Sequence, residues 1–194
     1  MEKITKVTTL IASFAIMLLS LASCGGDGNK QKTETSETKS DALTVDQVLT
    51  NPDQYVDKTI TIEGLCSHLC AHGGVKAFIQ GNADNMQLRC EAFPGMNEPF
   101  PGETVHKALK VTGRLREQRI DEEYLKALEN SNIDGDRETG CDTERTAHSQ
   151  QDLKTLNDRI ADYRARIAES VAKGGKAYLS FYYMDATGYE ILPD

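Results

Sequence analysis

The chain predicts a mainly β domain with inserted helices: a five-stranded Greek-key barrel with a short N-terminal helix and a helical insertion before the last strands. Three observations carry that expectation. Short stretches between Lys58 and Leu192 are rich in β-branched, aromatic and alternating apolar residues, which is how strands with one buried face read. The first of them carries Gly64 in its interior, and a glycine there marks a bulge or sharp bend. Helical spacing, apart from one short N-terminal segment, is confined to the late stretch 120–175.

Thr44-Val45-Asp46-Gln47 has the capping-box pattern, with Leu43 and Val48 placed as a hydrophobic staple, so a short helix starts there. Asn51-Pro52 ends it, because the residue before a proline is pushed out of the helical region. Thr59-Ile60-Thr61-Ile62 then begins the first strand. Gly73-Gly74 suits a two-residue hairpin turn with positive φ, so Val75 to Ile79 returns as the second strand. Met86, Leu88, Cys90 and Ala92 point one way as a third, with Cys90 read as core. Phe93 to Gly102, rich in Pro and Gly, is an irregular loop. Leu109, Val111, Gly113 and Leu115 alternate with Lys110, Thr112, Arg114 and Arg116 as a fourth strand with a solvated basic face.

Ile120 to Leu128 has helical spacing, and Asn130 to Ala147, acidic and glycine-containing, reads as a loop that holds Cys141. Ser149 is placed to cap a long amphipathic helix with the stripe Leu153, Leu156, Ile160, Tyr163, Ile167 and Val171, stopped at Gly174-Gly175. Ala177 to Tyr183 is a β-rich run. Asp185 to Gly188 then reads as a turn, and Tyr189 to Leu192 as a closing strand.

Chemistry-bearing residues concentrate between Gly64 and Ile79. Strand alternation puts Cys66, His68, Cys70 and His72 on one face and Leu65, Ser67, Leu69 and Ala71 on the other. With a two-residue turn, Cys70 would lie opposite Ala77, His68 opposite Ile79 and Leu69 opposite Phe78. A core at Leu65, Leu69 and Phe78 leaves the Cys/His row outward, which is the expectation adopted; a core at Val75, Ala77 and Ile79 would bury it. Cys66 and Cys70 lie about 13 Å apart along a straight strand at about 3.3 Å per residue. That excludes a disulfide between them, which needs Cα atoms within about 7 Å, unless the strand bends or bulges at this point. A metal such as zinc, or another transition metal, would use Cys70 with His72, about 6.6 Å apart, and draw further ligands from Cys141 or His148. Cys66, His68 and Cys90 are accessory thiol or ligand candidates. A Cys70–Cys141 disulfide competes with that metal set, and either arrangement places Cys141 near Cys70.

Lys3 and Lys6 followed by an apolar run from Leu10 to Ala22 have the layout of a secretory signal peptide over 1–23. Its end, Leu21-Ala22-Ser23-Cys24, resembles the lipobox of bacterial lipoproteins, and the resemblance implies lipid attachment at Cys24, hence a palmitate-type acyl anchor in the membrane. With Gly25 after that cysteine, the same resemblance implies the outer membrane over the inner, in either leaflet. Residues 24–41 have a composition that cannot bury a core and read as a flexible tether, leaving 42–194 as a single domain. Without Glu2, Lys3 and Lys6, the 22 basic and 30 acidic residues become 20 and 29, a net charge of −9. That balance opposes nucleic-acid binding, which needs clustered Lys and Arg.

The order of strands and helices fits a barrel of the OB type. Asn51-Pro52-x-x-Tyr55-x-x-Lys58-x-Ile60-x-Ile62-x-Gly64, then Cys70-x-His72-x-Gly74 and Tyr178-Leu179-Ser180-Phe181-Tyr182, is similar to the OB-fold lipoproteins of Bacteroidetes-type bacteria, grouped near tRNA-anticodon-binding-like domains. The likeness covers Leu43 to Arg119 and the last strands. It implies an OB barrel in the cell envelope and carries over no activity. No hydrolase elbow, phosphate-binding glycine loop, dinucleotide fingerprint or zinc-protease motif is present. The expectation is therefore a non-enzymatic, membrane-anchored module that binds an envelope protein or a small ligand. The alternative is a metal- or redox-responsive protein using the hairpin at 66–72.

Overall fold

A computed structural model describes residues 42–71, 73–83, 86–131 and 141–193. The signal segment, Cys24, the tether and His72 lie outside the described residues. The elements are β1 (Leu43–Thr44), α1 (Val45–Thr50), β2 (Thr59–Leu69), β3 (Lys76–Gln80), β4 (Gln87–Glu91), β5 (Ala108–Ile120), α2 (Glu122–Ser131), α3 (Asp142–Ala147), α4 (Leu156–Ala172) and β6 (Leu179–Ile191).

Strands β2 to β6 close into a mixed five-stranded barrel in the cyclic order β2-β3-β4-β6-β5. All neighbours are antiparallel except β4 and β6, which run parallel. This is an OB-like barrel with helical insertions, as the alternation predicts. Closure depends on β2 serving two partners. Thr59 to Leu65 pair with β5, and Leu65 to Leu69 pair with β3. The change of partner falls beside Gly64, where an added Cβ would lie 2.7 Å from the Gln80 carbonyl oxygen and 2.8 Å from Ile79 Cγ2. Only a residue without a side chain lets the two strands approach so closely.

The barrel interior is filled by the alternating apolar positions: Ile62 and Cys66 from β2, Ala77 and Ile79 from β3, Leu88 and Cys90 from β4, Leu109, Val111 and Leu115 from β5, and Met184 and Ala186 from β6. Each large aliphatic buried here contributes about 1.5–3 kcal/mol. The end of the barrel is sealed by α1, whose Val45 and Val48 join the same core. Its capping box is present in both directions, Gln47 N donating to Thr44 Oγ1 at 3.2 Å and Thr44 N to Gln47 Oε1 at 2.8 Å.

Both β5 and β6 run well past the closed section and stay paired as far as Ile120 opposite Leu179. On this projecting ribbon α2 and α4 build a second, smaller core of Ile120, Leu125, Leu156, Ile160 and Tyr163, with Leu179 and Phe181 against it. Arg164 of α4 ties the two helices, meeting Glu122 at 2.8 Å and Glu129 at 2.5 Å on α2.

Four expectations are corrected. The last strand is continuous: the stretch 185–188, read as a turn, is part of β6, where a bulge sets Gly188 opposite Thr112 and Ala186 opposite Gly113. The long helix is capped by Thr155, whose Oγ1 accepts from Asp158 N at 3.1 Å, and Ser149 instead sits in a left-handed turn with φ of 57°. The acidic stretch before it, read as loop, contains α3. The hairpin register is shifted by one, with Leu69 opposite Ala77 and His68 opposite Phe78. Gly73 and Gly74 do take positive φ, 76° and 71°, but within a longer loop closed by Cys70 N donating to the Lys76 carbonyl at 2.9 Å.

Candidate functional site

A bulge in β2 between Cys66 and His68 decides where the cysteines and histidines go. An extra residue in one strand reverses the faces of everything beyond it. Cys66 therefore points into the barrel core with no exposed surface, and burial pushes its thiol pKa up. Beyond the bulge Leu69 packs against that core, while His68 lies tilted at 46° against the outward-facing ring of Phe78, with centroids 5.8 Å apart. The expected single outward row is thus split: Cys66 is core, and Leu65, expected in a core, is 44% exposed. Cys90 is core, as expected, and burial drives its thiol pKa strongly upward.

Cys70 lies outside the barrel wall, its sulfur accepting from Lys76 N at 3.3 Å. It lines a cavity of about 660 Å³ between the outer face of β3 and β4 and the helical insertion. The barrel contributes Val75, Lys76, Arg89, Glu91, Gln118 and Ile120; the insertion contributes Tyr124, Leu128, Cys141, Glu144, His148, Leu156, Arg159 and Tyr163. Cys70, Cys141 and His148, three of the proposed metal ligands, thus border one space. The four described cysteines, Cys66, Cys70, Cys90 and Cys141, are free thiols. Among the described residues no group of three or more His, Cys, Asp or Glu side chains converges to hold a metal ion, and the fourth candidate, His72, is not among them.

The centre of this face is Arg89. Its guanidinium has three neighbours on the barrel: Nη2 donates to Gln118 Oε1 at 3.4 Å, the group lies over the Tyr183 ring at 5.1 Å, and Nε is 3.0 Å from Glu91 Oε1 as an ion pair without hydrogen-bond geometry. Nη1 alone reaches the insertion, donating to Glu144 Oε1 at 3.0 Å. Lys76 Nζ approaches the other oxygen of Glu144 at 3.4 Å. Burial pushes the Glu144 carboxyl up, but Lys76 and Arg89 outweigh it and hold the group below its ordinary value.

One turn further on, His148 closes the space. Its ring stacks on Phe181 with centroids 4.0 Å apart, and its Nδ1 lies 2.5 Å from the Tyr163 hydroxyl. Burial, reinforced by Arg89, lowers its pKa from 6.5 to about 4; the neutral imidazole is a hydrogen-bonded wall element. Arg159, Gln150 and Asp162 continue the polar network behind it, Arg159 Nε donating to Gln150 Oε1 at 2.8 Å and Gln150 Nε2 to Asp162 Oδ2 at 2.8 Å. Arg89, Glu144 and His148 also line a second cavity of about 130 Å³ beside Phe78, Gln87 and Phe181, so α3 lies as a partition between two spaces on one barrel face.

Lys76, Arg89, Glu144, Tyr124 and Tyr163 were not singled out from the sequence. The signal for the first two was present: a charged residue on each of two adjacent strands, at positions alternating with core residues. Among the described residues no helix is long and apolar enough to cross a membrane. No protein-family model matches the chain, and no curated protein matches it.

Proposed function

We propose that this chain is a lipid-anchored, non-enzymatic binding module of the cell envelope that takes a small ligand between the β3–β4 face and its helical insertion. The observation that carries this reading is the cavity of about 660 Å³. Its size suits a small molecule, and its walls combine apolar side chains with a few convergent polar groups, which is the usual make-up of a ligand site. It also lies where OB barrels receive ligands, on the face of the second and third barrel strands between the first hairpin loop and the connection that precedes the last strand. The net charge of −9 after signal removal argues against an oligonucleotide as occupant.

The anchor rests on the charged start, the apolar run and Leu21-Ala22-Ser23-Cys24. Acyl chains at Cys24 hold a protein to a membrane through about 0.8 kcal/mol per buried methylene. Cys24→Ala is expected to release the protein from membranes, and unchanged partitioning would sink that part of the reading. For the cavity, small molecules extracted from purified protein are compared with those from Leu128→Trp, in which an indole fills the space. The expected result is a molecule that co-purifies with the parent chain and is lost from the variant; identical extracts speak against a ligand in this cavity.

A second reading has one observation in its favour, the two free thiols of Cys70 and Cys141 on the same cavity. It makes the protein a metal- or redox-responsive one. Elemental analysis together with a free-thiol count separates it from the first: bound metal near one equivalent, or loss of both thiols under mild oxidation, favours this second reading.

A further inference from the structure

Taking the cavity as a ligand site, we infer that Lys76 and Arg89 are its anion-recognition element, and that Glu144 is a resident carboxylate replaced by the ligand's own carboxylate or phosphate monoester. The inference rests on which part of the molecule supplies each group. Both cations belong to the barrel, on β3 and β4, whereas the carboxylate that joins them is brought by α3, a helix of six residues. Arg89 has barrel partners apart from Glu144, a hydrogen bond to Gln118, the Tyr183 ring beneath its guanidinium and the ion-pair contact of Glu91. A planar cation fixed in this way is preorganised for an incoming oxyanion and loses little rotamer freedom on binding it. Lys76, with 32% of its side chain exposed, adds a mobile second charge with three donors.

Both cations and Glu144 border the cavity, so an oxyanion entering it takes the place of Glu144 at Arg89 Nη1 and Lys76 Nζ. Exchange of one oxyanion for another leaves neither partly buried cation without a partner, which is the costly outcome where water is largely excluded. The displaced Glu144 side chain, 18% exposed, turns outward to water. The rest of the lining fixes the body of the ligand. Val75, Ile120, Leu128 and Leu156, with the rings of Tyr124 and Tyr163, ask for an apolar or aromatic body a few ångströms from the charged head. The chemical class is a small amphipathic molecule with one carboxylate or one phosphate monoester.

The test is isothermal titration of the full chain in nonionic detergent with 4-phenylbutyrate, its neutral amide and 3-phenylpropyl phosphate. One or both anions are expected to bind at least about ten-fold more tightly than the amide, as a charge-assisted pair at a partly buried site provides. Which anion wins identifies the head group. In Lys76→Gln the anion's advantage falls by about ten-fold while amide binding is unchanged, and in Glu144→Gln anion affinity rises several-fold because the competing charge is gone. Equal binding of acid and amide would leave the cavity as a ligand site and overturn the anion element. Weaker anion binding in a folded Glu144→Gln would overturn the resident-carboxylate role. Should that variant not fold, Lys76→Gln decides alone, and unaltered anion binding there overturns the inference. Absence of binding by all three probes would count against the cavity reading itself.

Discussion

Arg89 on the barrel wall and Glu144 on α3 meet at 3.0 Å, Nη1 to Oε1, with 13% and 18% of their side chains exposed. This contact, shared with Lys76, fastens the short helix to the β3–β4 face. Removing one partner of such a pair leaves the other charged and poorly hydrated. Glu144→Gln keeps a hydrogen-bonding oxygen and is expected to cost about 1–2 kcal/mol in urea denaturation. Arg89→Gln leaves Glu91 and Glu144 facing one another and is expected to cost more, about 3 kcal/mol. A larger loss in the glutamate variant than in the arginine variant would show that Arg89 is not the organising group.

Stability should fall on mild acidification because of His148. Its folded pKa, lowered from 6.5 to about 4 by burial and Arg89, means that between those values the unfolded chain binds a proton that the folded chain refuses. Stability from this group is therefore complete above about pH 6.5 and declines as pH falls towards 4, by on the order of 3 kcal/mol in total. Glu144, also held below its ordinary value, contributes stability that is complete above that ordinary value and is lost as pH falls through its lower folded value. His148→Gln should flatten the profile between pH 6.5 and 4; an unchanged slope would place the proton uptake elsewhere.

The two hairpin glycines separate two kinds of constraint. Both have positive φ, but a Cβ on Gly73 meets nothing within 4 Å, whereas one on Gly74 would lie 2.3 Å from the Phe100 carbonyl oxygen. Gly73→Ala is expected to cost about 1–2 kcal/mol, the left-handed penalty alone. Gly74→Ala must in addition push the 100–101 backbone away and should cost clearly more, lowering the thermal midpoint further. Equal losses would mean that the loop yields freely at Phe100.

Thiol reactivity should follow burial. Cys66 and Cys90 have no exposed surface and burial raises both pKa values, so a maleimide should reach them only on unfolding. Cys141, partly exposed at the cavity rim, should be alkylated first, and Cys70, 7% exposed, more slowly. Peptide mass analysis over a time course reads the order. Labelling of Cys90 at the rate of Cys141 in native protein would contradict the packing described.

The barrel interior was legible because its rule is local. Val111 and Leu115, or Leu88 and Cys90, alternate with charged residues, and the period of two survives closure into a barrel. The capping box at Thr44 was legible for the same reason. The hairpin register was not, because the loop closed between Cys70 and Lys76 is longer than the Gly-Gly pair suggests, and the bulge between Cys66 and His68, with no compositional mark, then changes the faces so that Cys66 is inward and Cys70 outward. The helix α3 was hidden because its residues, Asp142 to Ala147, carry no apolar stripe; they are held by Glu144 against Lys76 and Arg89, partners far away in the chain. Thr155 was passed over as a cap for Ser149, since both satisfy the local pattern and Leu153 extends the apolar spacing beyond the true start. The cavity could not be read from any one stretch, since its walls come from residues 70 to 163.

The longest strand pairing in the molecule, β5 with β6, joins segments whose nearest partners, Ile120 and Leu179, are separated by the whole insertion. Bringing such remote segments together carries a loop-closure entropy that grows with the length of disordered chain between them. If α2 and α4 form first, that intervening chain is shortened before the strands meet, and the small core they share with Ile120 and Leu179 is complete only when the strands are registered. In that order of events the insertion would act as a kinetic matchmaker for barrel closure, converting part of the long-range topology into local assembly.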